Sequence, residues 1–253
     1  PREIPKEALL RDLLVRASAL EAKYLAKILY QEMRHGASKG IMLEGIARAA
    51  GVKTRWVRRA NQLWGDVGEV ALVALTEGEP GLKAASLRLF RPVKPMLAQT
   101  ADDLSEAFDR YDGQVVLEYK LDGARVQIHR RGDKVRIYSR NLADVTASLP
   151  DVALGVQARL RAGEAILEGE AVAVDAQGRP LPFQHLMRRF RRIRDVEATI
   201  EEIPVHLYLF DLLYAGGRSL IDEPNAARWA ALEQVAGDLP LVERLITADT
   251  VEG

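Results

Sequence analysis

The sequence predicts a multidomain α and α+β chain that is helical in its first third and built on an antiparallel sheet afterwards. Apolar residues recur at helical spacing as far as about residue 77, whereas apolar and polar residues alternate with a period of two from Val115 onward. Between these patterns, Pro92 and Pro95 restrict the residues before them to extended conformations. We therefore expect a helical domain over residues 1–90, a linker over residues 91–100 and a second domain over residues 101–253.

The helical part divides at glycines. Gly51 interrupts the apolar pattern, so the stretch from Ile46 to Trp64 also fits a helix-turn-helix motif. The expected helices are two within residues 5–33, followed by helices over residues 41–50, 53–64 and 66–77.

Hairpins, and not the crossovers of a parallel sheet, dominate the second half, which makes it α+β. Turn residues at Asp122-Gly123 and Arg131-Gly132-Asp133 separate the first three predicted strands. The expected elements are a short helix over residues 101–111, strands near Val115, Val126 and Val135, a helix over residues 150–162, and strands over residues 165–174 and 204–213 with a basic helical stretch between them.

Composition excludes several classes of protein. The chain has no cysteine, so disulfides and thiolate metal sites are absent. It has no apolar run of the roughly 20 residues that span a bilayer, and nothing at its start resembles a signal peptide. We expect a soluble protein without membrane contact, located in the cytoplasm, at the nucleoid in a prokaryote or in the nucleus in a eukaryote.

The zero net charge conceals an asymmetry between the two halves. Residues 1–94 contain 17 Lys and Arg against 10 Asp and Glu, whereas the rest contains 19 against 26. Such a split is typical of a chain whose first half meets a polyanion. Lys53, Arg55, Arg58 and Arg59 would contact DNA phosphates more than base edges, or else form the solvated basic face of a core helix.

Lys120 is the candidate nucleophile. The sequence has no Gly-rich phosphate loop and no HExxH motif, so nucleotide chemistry would depend on side chains carried by strands. Lys120 ends a predicted strand. Arg125 would supply the nearby positive charge that favours a free amine, Asp122 would orient that amine or take part in proton transfer, and Gly123 would allow a tight turn. The same pattern also fits an ordinary Asp-Gly hairpin.

The segment Glu118-Tyr119-Lys120-Leu121-Asp122-Gly123-Ala124-Arg125 resembles the nucleotidyltransferase motif of ATP-dependent DNA ligases of the archaeal and eukaryotic type. Other family-like segments follow in order, including one in which Glu168 stands where the family usually has Asp. They are residues 91–98, Ser139-Arg140-Asn141, Leu167-Glu168-Gly169-Glu170 and Phe210-Asp211-Leu212-Leu213, with residues 20–25 and 65–71 in the helical half.

The resemblance implies a DNA-binding helical domain and an antiparallel-sheet, ATP-grasp-like adenylation domain. It implies that Lys120 takes AMP from ATP, that AMP passes to the 5′-phosphate of a nick, and that the 3′-hydroxyl displaces it. ATP and Mg²⁺ would be needed, nicked duplex DNA would be the partner, and the protein would be a monomer that meets a sliding clamp through a segment outside this chain. The implied ligands are Arg125 and Arg140 for phosphate, Glu170 for ribose or Mg²⁺, Phe210 for the adenine face and Glu118 for the base edge.

The arginine-rich residues 187–194 allow two interpretations. The arginines could bind the phosphates of a nucleic-acid backbone. Alternatively, they form an amphipathic helix with Leu186, Phe190 and Ile193 facing inward and the arginines in water.

The sequence also predicts that this chain is a fragment. It does not begin with Met, and the family's later Glu-Gly and lysine motifs are not found before Gly253. The last residues follow a helix-cap pattern at residues 247–250, and no strand is expected before them. Two alternatives remain. The chain could belong to another polynucleotide nucleotidyltransferase, such as an RNA ligase or capping enzyme, or it could be a non-catalytic DNA-binding fragment. An NAD-dependent ligase would usually contain a four-cysteine zinc module, and this chain has no cysteine.

Overall fold

The computed structural model describes residues 6–29, 38–96, 98–111, 114–190 and 196–248. The described residues mix helices with an antiparallel sheet, as the sequence predicts. The helices are α1 Lys6–Arg16, α2 Ala19–Leu29, α3 Lys39–Ala50, α4 Thr54–Trp64, α5 Val67–Thr76, α6 Gly78–Lys83, α7 Leu104–Asp109, α8 Pro150–Arg159, α9 Phe183–Phe190, α10 Val196–Glu202 and α11 Asn225–Ala236. The strands are β1 Val115–Glu118, β2 Ala124–Arg131, β3 Lys134–Ser139, β4 Glu164–Ala173, β5 Val205–Ala215, β6 Arg218–Ser219 and β7 Arg244–Thr247.

Helices α3 to α6 form one apolar cluster. The Ser38 hydroxyl caps the start of α3, and Gly51 ends it in the left-handed conformation that glycine adopts without steric cost. The Asp66 carboxylate caps α5 in the same way. Val57 and Leu63 of α4 are buried in the cluster, so this helix faces the core on one side. No helix in the described residues is long and apolar enough to cross a membrane.

Five antiparallel strands form the central sheet in the order β3-β2-β4-β5-β6. Strand β4 is buried along nearly its whole length. Its Ile166 packs into the cluster of α3 to α6, whereas Leu167 packs into a second cluster with α8 and α11. Burial on both faces explains the apolar stretches at residues 165–167 and 171–173 of β4, which Glu168 and Glu170 separate.

Strands β1 and β7 form a separate two-stranded sheet, here called the ribbon. Val115 pairs with Thr247 and Glu118 pairs with Arg244. Two predictions are therefore wrong. Asp122-Gly123 does not join a hairpin, because β2 pairs with β3 and β4 and not with β1. A strand does precede residue 248, because residues 244–247 find their partner in a strand more than a hundred residues earlier.

The arginine-rich stretch agrees only in part with the amphipathic interpretation. Leu186 is buried and Phe190 packs against the core, but Arg189 is also buried, contrary to the prediction. Its guanidinium donates to both Asp151 carboxylate oxygens, at 2.5 and 2.9 Å, and to the carbonyls of Ser148 and Ile203, which offset the loss of water. Residues 191–194 lie outside the described residues, as do residues 249–253.

Candidate active site

A cavity of about 950 Å³ lies between the ribbon and the central sheet. This volume is typical of pockets for nucleotide-sized ligands. It brings together side chains from seven separate stretches of the sequence, which the linear pattern alone could not place beside one another. Of the predicted site residues, its lining includes Glu118, Lys120, Asp122, Gly123, Arg125, Arg140, Glu170 and Phe210.

Lys120 lies two residues beyond the end of β1, on the segment that crosses from the ribbon to β2. The segment is anchored at its start, where the Tyr119 N–H donates to the Glu243 carbonyl at 3.4 Å. Lys120 and Asp122 are both exposed at the cavity wall. An amine in this place is accessible to a ligand in the cavity.

Gly123 is required by close packing and not by the tight turn that the sequence suggested. Its backbone does not adopt a positive φ. A Cβ at this position would lie 2.3 Å from the Ala171 carbonyl oxygen and 2.9 Å from Glu170 Cγ. The missing side chain therefore allows the Lys120 segment to lie directly against β4, where the Gly123 N–H donates to the Glu170 carboxylate.

Arg125 extends from β2 at the edge of the cavity. Its guanidinium forms an ion pair with Glu168 of β4 and donates to the Met96 carbonyl at 3.2 Å. Its Cζ atom lies 5.4 Å from the centre of the Phe210 ring. Its Nε is buried and has no hydrogen-bond partner. Met96 and Glu168 engage one Nη atom each, so each of these nitrogens keeps a second N–H that an anionic ligand could use.

Two carboxylates on the cavity wall have raised pKa values. Burial raises the pKa of Glu170 to about 6, although Arg125 and Lys120 oppose the shift. Partial desolvation, with a smaller contribution from Asp211, raises the pKa of Glu118, and Arg244 across the ribbon opposes this shift. Two carboxyls held partly out of water beside cationic groups form a polar wall suited to ligand recognition.

Part of the cavity lining is apolar and was missed by sequence reasoning. Phe183, Met187 and Phe190 of α9 line the cavity, together with Val145 and Val242. The helical spacing of Phe183, Met187 and Phe190 was visible in the sequence, but it is the same for a core-facing stripe and for a pocket wall.

An ion pair supports the floor beside Phe210. Asp211 accepts hydrogen bonds from Arg228 Nε and Nη2 at 2.7 and 2.9 Å. The bidentate contact joins β5 to α11 at the residue that follows Phe210. Sequence reasoning assigned no role to Arg228.

The predicted DNA contacts lie on α4, and none of them lines the cavity. Lys53 and Arg55 are exposed. Arg58 donates to a glutamate of α3 at 2.9 Å, and Arg59 donates to both oxygens of Asp222 at 2.7 and 2.6 Å. Two of the four basic side chains thus already have carboxylate partners.

Comparison with known proteins assigns the family. The model of the ATP-dependent DNA ligase domain matches residues 95–252, and the model of the DNA ligase N terminus matches residues 2–47. The chain belongs to the ATP-dependent DNA ligase family. The family-like motifs of residues 118–125, 139–141, 167–170 and 210–213 all fall within the first match.

Curated relatives of this ligase-family chain are similar over most of its length. A probable DNA ligase of Anaeromyxobacter dehalogenans is 47% identical over 243 residues, which are 95% of this chain and 47% of the relative. A DNA ligase of Methanopyrus kandleri is 46% identical over 252 residues, 98% of this chain and 45% of the relative. The chain therefore spans about half the length of the curated relatives it matches.

Among solved structures, a mycobacterial DNA ligase D complexed with ATP and MES is 30% identical. The match covers 52% of this chain and 40% of the solved chain, with a TM-score of 0.40.

Within the described residues of the ligase-family chain, no group of three or more His, Cys, Asp or Glu side chains is placed to hold a metal ion. Mg²⁺ commonly uses only one or two carboxylates together with substrate phosphates. Glu170 fits that pattern because its carboxyl lines the cavity.

Proposed function

We propose that the protein containing this chain is an ATP-dependent DNA ligase that seals nicks in duplex DNA, with Lys120 as the nucleophile. The observation that carries the proposal is the cavity that Lys120 shares with Arg125, Arg140, Glu170 and Phe210. Family membership supports the use of ATP. The reaction would serve DNA replication, repair and recombination.

The proposed chemistry begins with the Lys120 amine as the free base. Its Nζ attacks the α-phosphorus of ATP, a P–N bond forms, and the bond to pyrophosphate breaks. AMP then passes from Lys120 to the 5′-phosphate of the nick, which frees the amine. The 3′-hydroxyl attacks that 5′-phosphorus, loses its proton and expels AMP. Bound Mg²⁺ would neutralise phosphate charge in these steps.

The chain's own residues would orient the nucleotide. We assign Arg125 and Arg140 to phosphate, Phe210 to the adenine face and Glu118 to the base edge. Arg125 would contact phosphate through its Nη atoms, because Met96 and Glu168 each engage one of them and every Nη carries a second N–H. Glu170 would hold the ribose or Mg²⁺, and Asp122 and Gly123 would set the position of the Lys120 segment.

We further propose the division into a helical DNA-binding domain over residues 1–90, a linker over residues 91–100 and an ATP-grasp-like adenylation domain over residues 101–253. The separate matches at residues 2–47 and 95–252 support it. Nicked DNA is the proposed partner, and the protein would act as a monomer that a sliding clamp engages elsewhere.

The DNA contacts proposed for α4 have a salt-dependent signature. Exposed Lys53 and Arg55 would meet phosphates directly, whereas Arg58 and Arg59 would exchange their carboxylate partners for phosphate. Each phosphate contact contributes roughly −0.9 to the slope of log K against log salt. Lys53→Gln with Arg55→Gln should lower that slope for duplex binding, and an unchanged slope would argue against this face.

An adduct assay tests the catalytic proposal. Both this chain and the full-length protein are incubated with ATP and Mg²⁺, and mass spectrometry locates added AMP. Full-length protein should carry AMP on Lys120, and Lys120→Arg should abolish it, whereas Lys134→Arg, at an exposed lysine of β3, should not. A folded full-length protein without an adduct would contradict the proposal. A positive full-length protein and a negative chain would restrict this chain to DNA or nucleotide binding.

A further inference from the structure

A buried glutamine fastens the segment between α6 and α7 to the central sheet. This connecting segment, residues 84–103, has no helix or strand among its described residues. Gln127 of β2 is only 5% exposed. Its Oε1 accepts the Val93 N–H at 2.7 Å, and its Nε2 donates to the Val93 carbonyl at 3.3 Å. The side chain therefore pairs with the backbone of Val93 much as a neighbouring strand would.

His129 fixes the orientation of that glutamine. Its Nε2 lies 2.9 Å from Gln127 Oε1, and its Nδ1 accepts the Phe90 N–H at 2.9 Å. Because an amide oxygen can only accept, Nε2 must carry the ring proton, which leaves Nδ1 free to accept. Burial lowers the pKa of His129 to about 4, so the ring stays neutral and both hydrogen bonds persist at neutral pH.

Phe90 shows that the connecting segment is held in one specific conformation. Its φ is +66°, in the left-handed region that a bulky side chain seldom adopts. Besides His129, the Tyr138 hydroxyl holds this residue by donating to the Phe90 carbonyl at 3.0 Å. Strained backbone of this kind persists only where the surroundings determine it fully.

The same glutamine reaches the cavity through Glu168. Gln127 Nε2 donates to Glu168 Oε1 at 3.1 Å, and the other Glu168 oxygen is paired with Arg125. Arg125 also donates to the Met96 carbonyl, three residues beyond Val93. Both anchors of the Arg125 guanidinium, one on β4 and one on the connecting segment, are thus set by Gln127.

We propose that Gln127, held by His129, is a positioning residue for the nucleotide site: it fixes Val93 and Glu168 so that the Arg125 guanidinium stays at the cavity edge. The inference rests on the proposed binding of ATP in this cavity. An apolar residue would fill the same volume without needing partners, so packing alone does not explain a buried amide with every partner in place. The connecting segment thereby becomes part of the nucleotide site.

A double-mutant cycle on ATP binding tests this role. Affinity for ATP is measured by calorimetry for this chain and for Gln127→Met, Arg125→Gln and the double variant. Gln127→Met keeps the length of the side chain and removes its polar atoms. Each single variant should bind ATP about tenfold more weakly, as expected for loss of a hydrogen bond to a charged group. The double variant should bind no more weakly than Arg125→Gln alone, because Gln127 acts through Arg125.

A control separates positioning from general loss of stability. Val156→Ala removes two methyl groups from the core at α8, away from the network, and should lower the thermal midpoint while leaving ATP affinity within twofold of the wild type. If Gln127→Met does not fold, Gln127→Asn replaces it, since the shorter amide cannot reach both Val93 and Glu168.

The outcomes distinguish this inference from the proposed function. Independent effects that multiply in the double variant would overturn the positioning role, as would a folded Gln127 variant with wild-type affinity. A wild-type chain that binds no ATP would overturn the nucleotide cavity itself, and the positioning role with it.

Discussion

The two walls of the cavity differ in how much structure supports them. The central sheet is covered by helices on both faces, and Ile128, Ile166 and Leu209 are completely buried within it. The ribbon consists of only four residue pairs, and its Val116 and Ile246 are 41% and 49% exposed. Arg125 and Glu170 thus lie on the rigid wall, whereas Lys120 follows the lightly supported one.

This difference separates two tasks. Groups that must hold charge in a fixed geometry benefit from packed surroundings. The entropy cost of ordering their side chains is then met when the protein folds and not when the ligand binds. Lys120, the nucleophile that we propose, would first bind AMP and then transfer it to DNA, so it would benefit from a support that opens at low free energy. Segments with few buried apolar contacts are the ones expected to open locally. We therefore expect amide hydrogen exchange to be faster in β1 than in β2.

The contact between the walls at Gly123 should be the most sensitive point. Gly123→Ala would place a Cβ 2.3 Å from the Ala171 carbonyl oxygen, which belongs to the buried β4 and cannot move aside. Overpacking of this kind costs about 1–3 kcal/mol. We expect the Lys120 segment to shift away from β4 and ATP affinity to fall at least tenfold.

Gly163→Ala is the matched control, because its Cβ would meet nothing within 4 Å and its φ is not positive. Chemical denaturation and calorimetry with ATP would measure both variants. Equal behaviour of the two alanine variants would show that the walls do not touch as closely as the structure indicates.

The stability of the folded protein should depend on pH through Glu170, which lies on the rigid wall. Because burial raises its pKa from 4.5 to about 6, the folded state binds this proton more tightly than the unfolded state does. Its stabilising contribution is therefore present below about pH 4.5 and is lost as the pH rises through 6. Glu170→Gln, which resembles the protonated form, should be more stable than the wild type at pH 8 by at most about 2 kcal/mol.

The measurement is urea denaturation of the two proteins between pH 4 and pH 8. The difference in unfolding free energy should shrink as the pH falls below 6, because Glu170 of the folded wild type is then protonated and neutral like the glutamine. A difference that stays constant with pH would mean that the Glu170 carboxyl is not held out of water. Since the charged form is the less stable one at neutral pH, the wild type keeps this carboxyl at a cost in stability.

The sequence predicts the sheet better than the ribbon, for a physical reason. Local alternation identifies β2 and β3, and their pairing across Gly132 follows from the short turn between them. The pairing of β1 with β7 joins residues more than a hundred positions apart, so no local pattern can indicate it. The Asp122-Gly123 pair even predicted a hairpin that would pair β1 with β2. Its glycine is needed for close packing against β4 and does not form a hairpin turn.

The same limit applies to the cavity. Lys120 and Arg125 could be named as candidates because charged side chains on a short motif restrict the chemistry, and Glu170 could be named because its segment resembles a family motif. Met187 could not, because an apolar residue on a helix has the same spacing whether it faces a core or a pocket. Arg189 was placed in water because its partner Asp151 lies on another helix and only the fold brings the two together.

The smallest expected effect should come from the exposed face of the ribbon. Ile246→Thr replaces a half-exposed side chain opposite Val116, and a cross-strand pair of this kind contributes roughly 0.2–1 kcal/mol. The same change in the sheet, Ile128→Thr, puts a hydroxyl in a fully buried position and should cost about 2–4 kcal/mol.

Urea denaturation measures the global free energy of unfolding, and hydrogen exchange at β1 measures local opening. We expect Ile246→Thr to speed exchange in β1 while leaving exchange in β2 unchanged, because the ribbon opens without the sheet. If both strands exchanged faster together, the two walls would form one cooperative unit, and the support of Lys120 would be as rigid as that of Arg125.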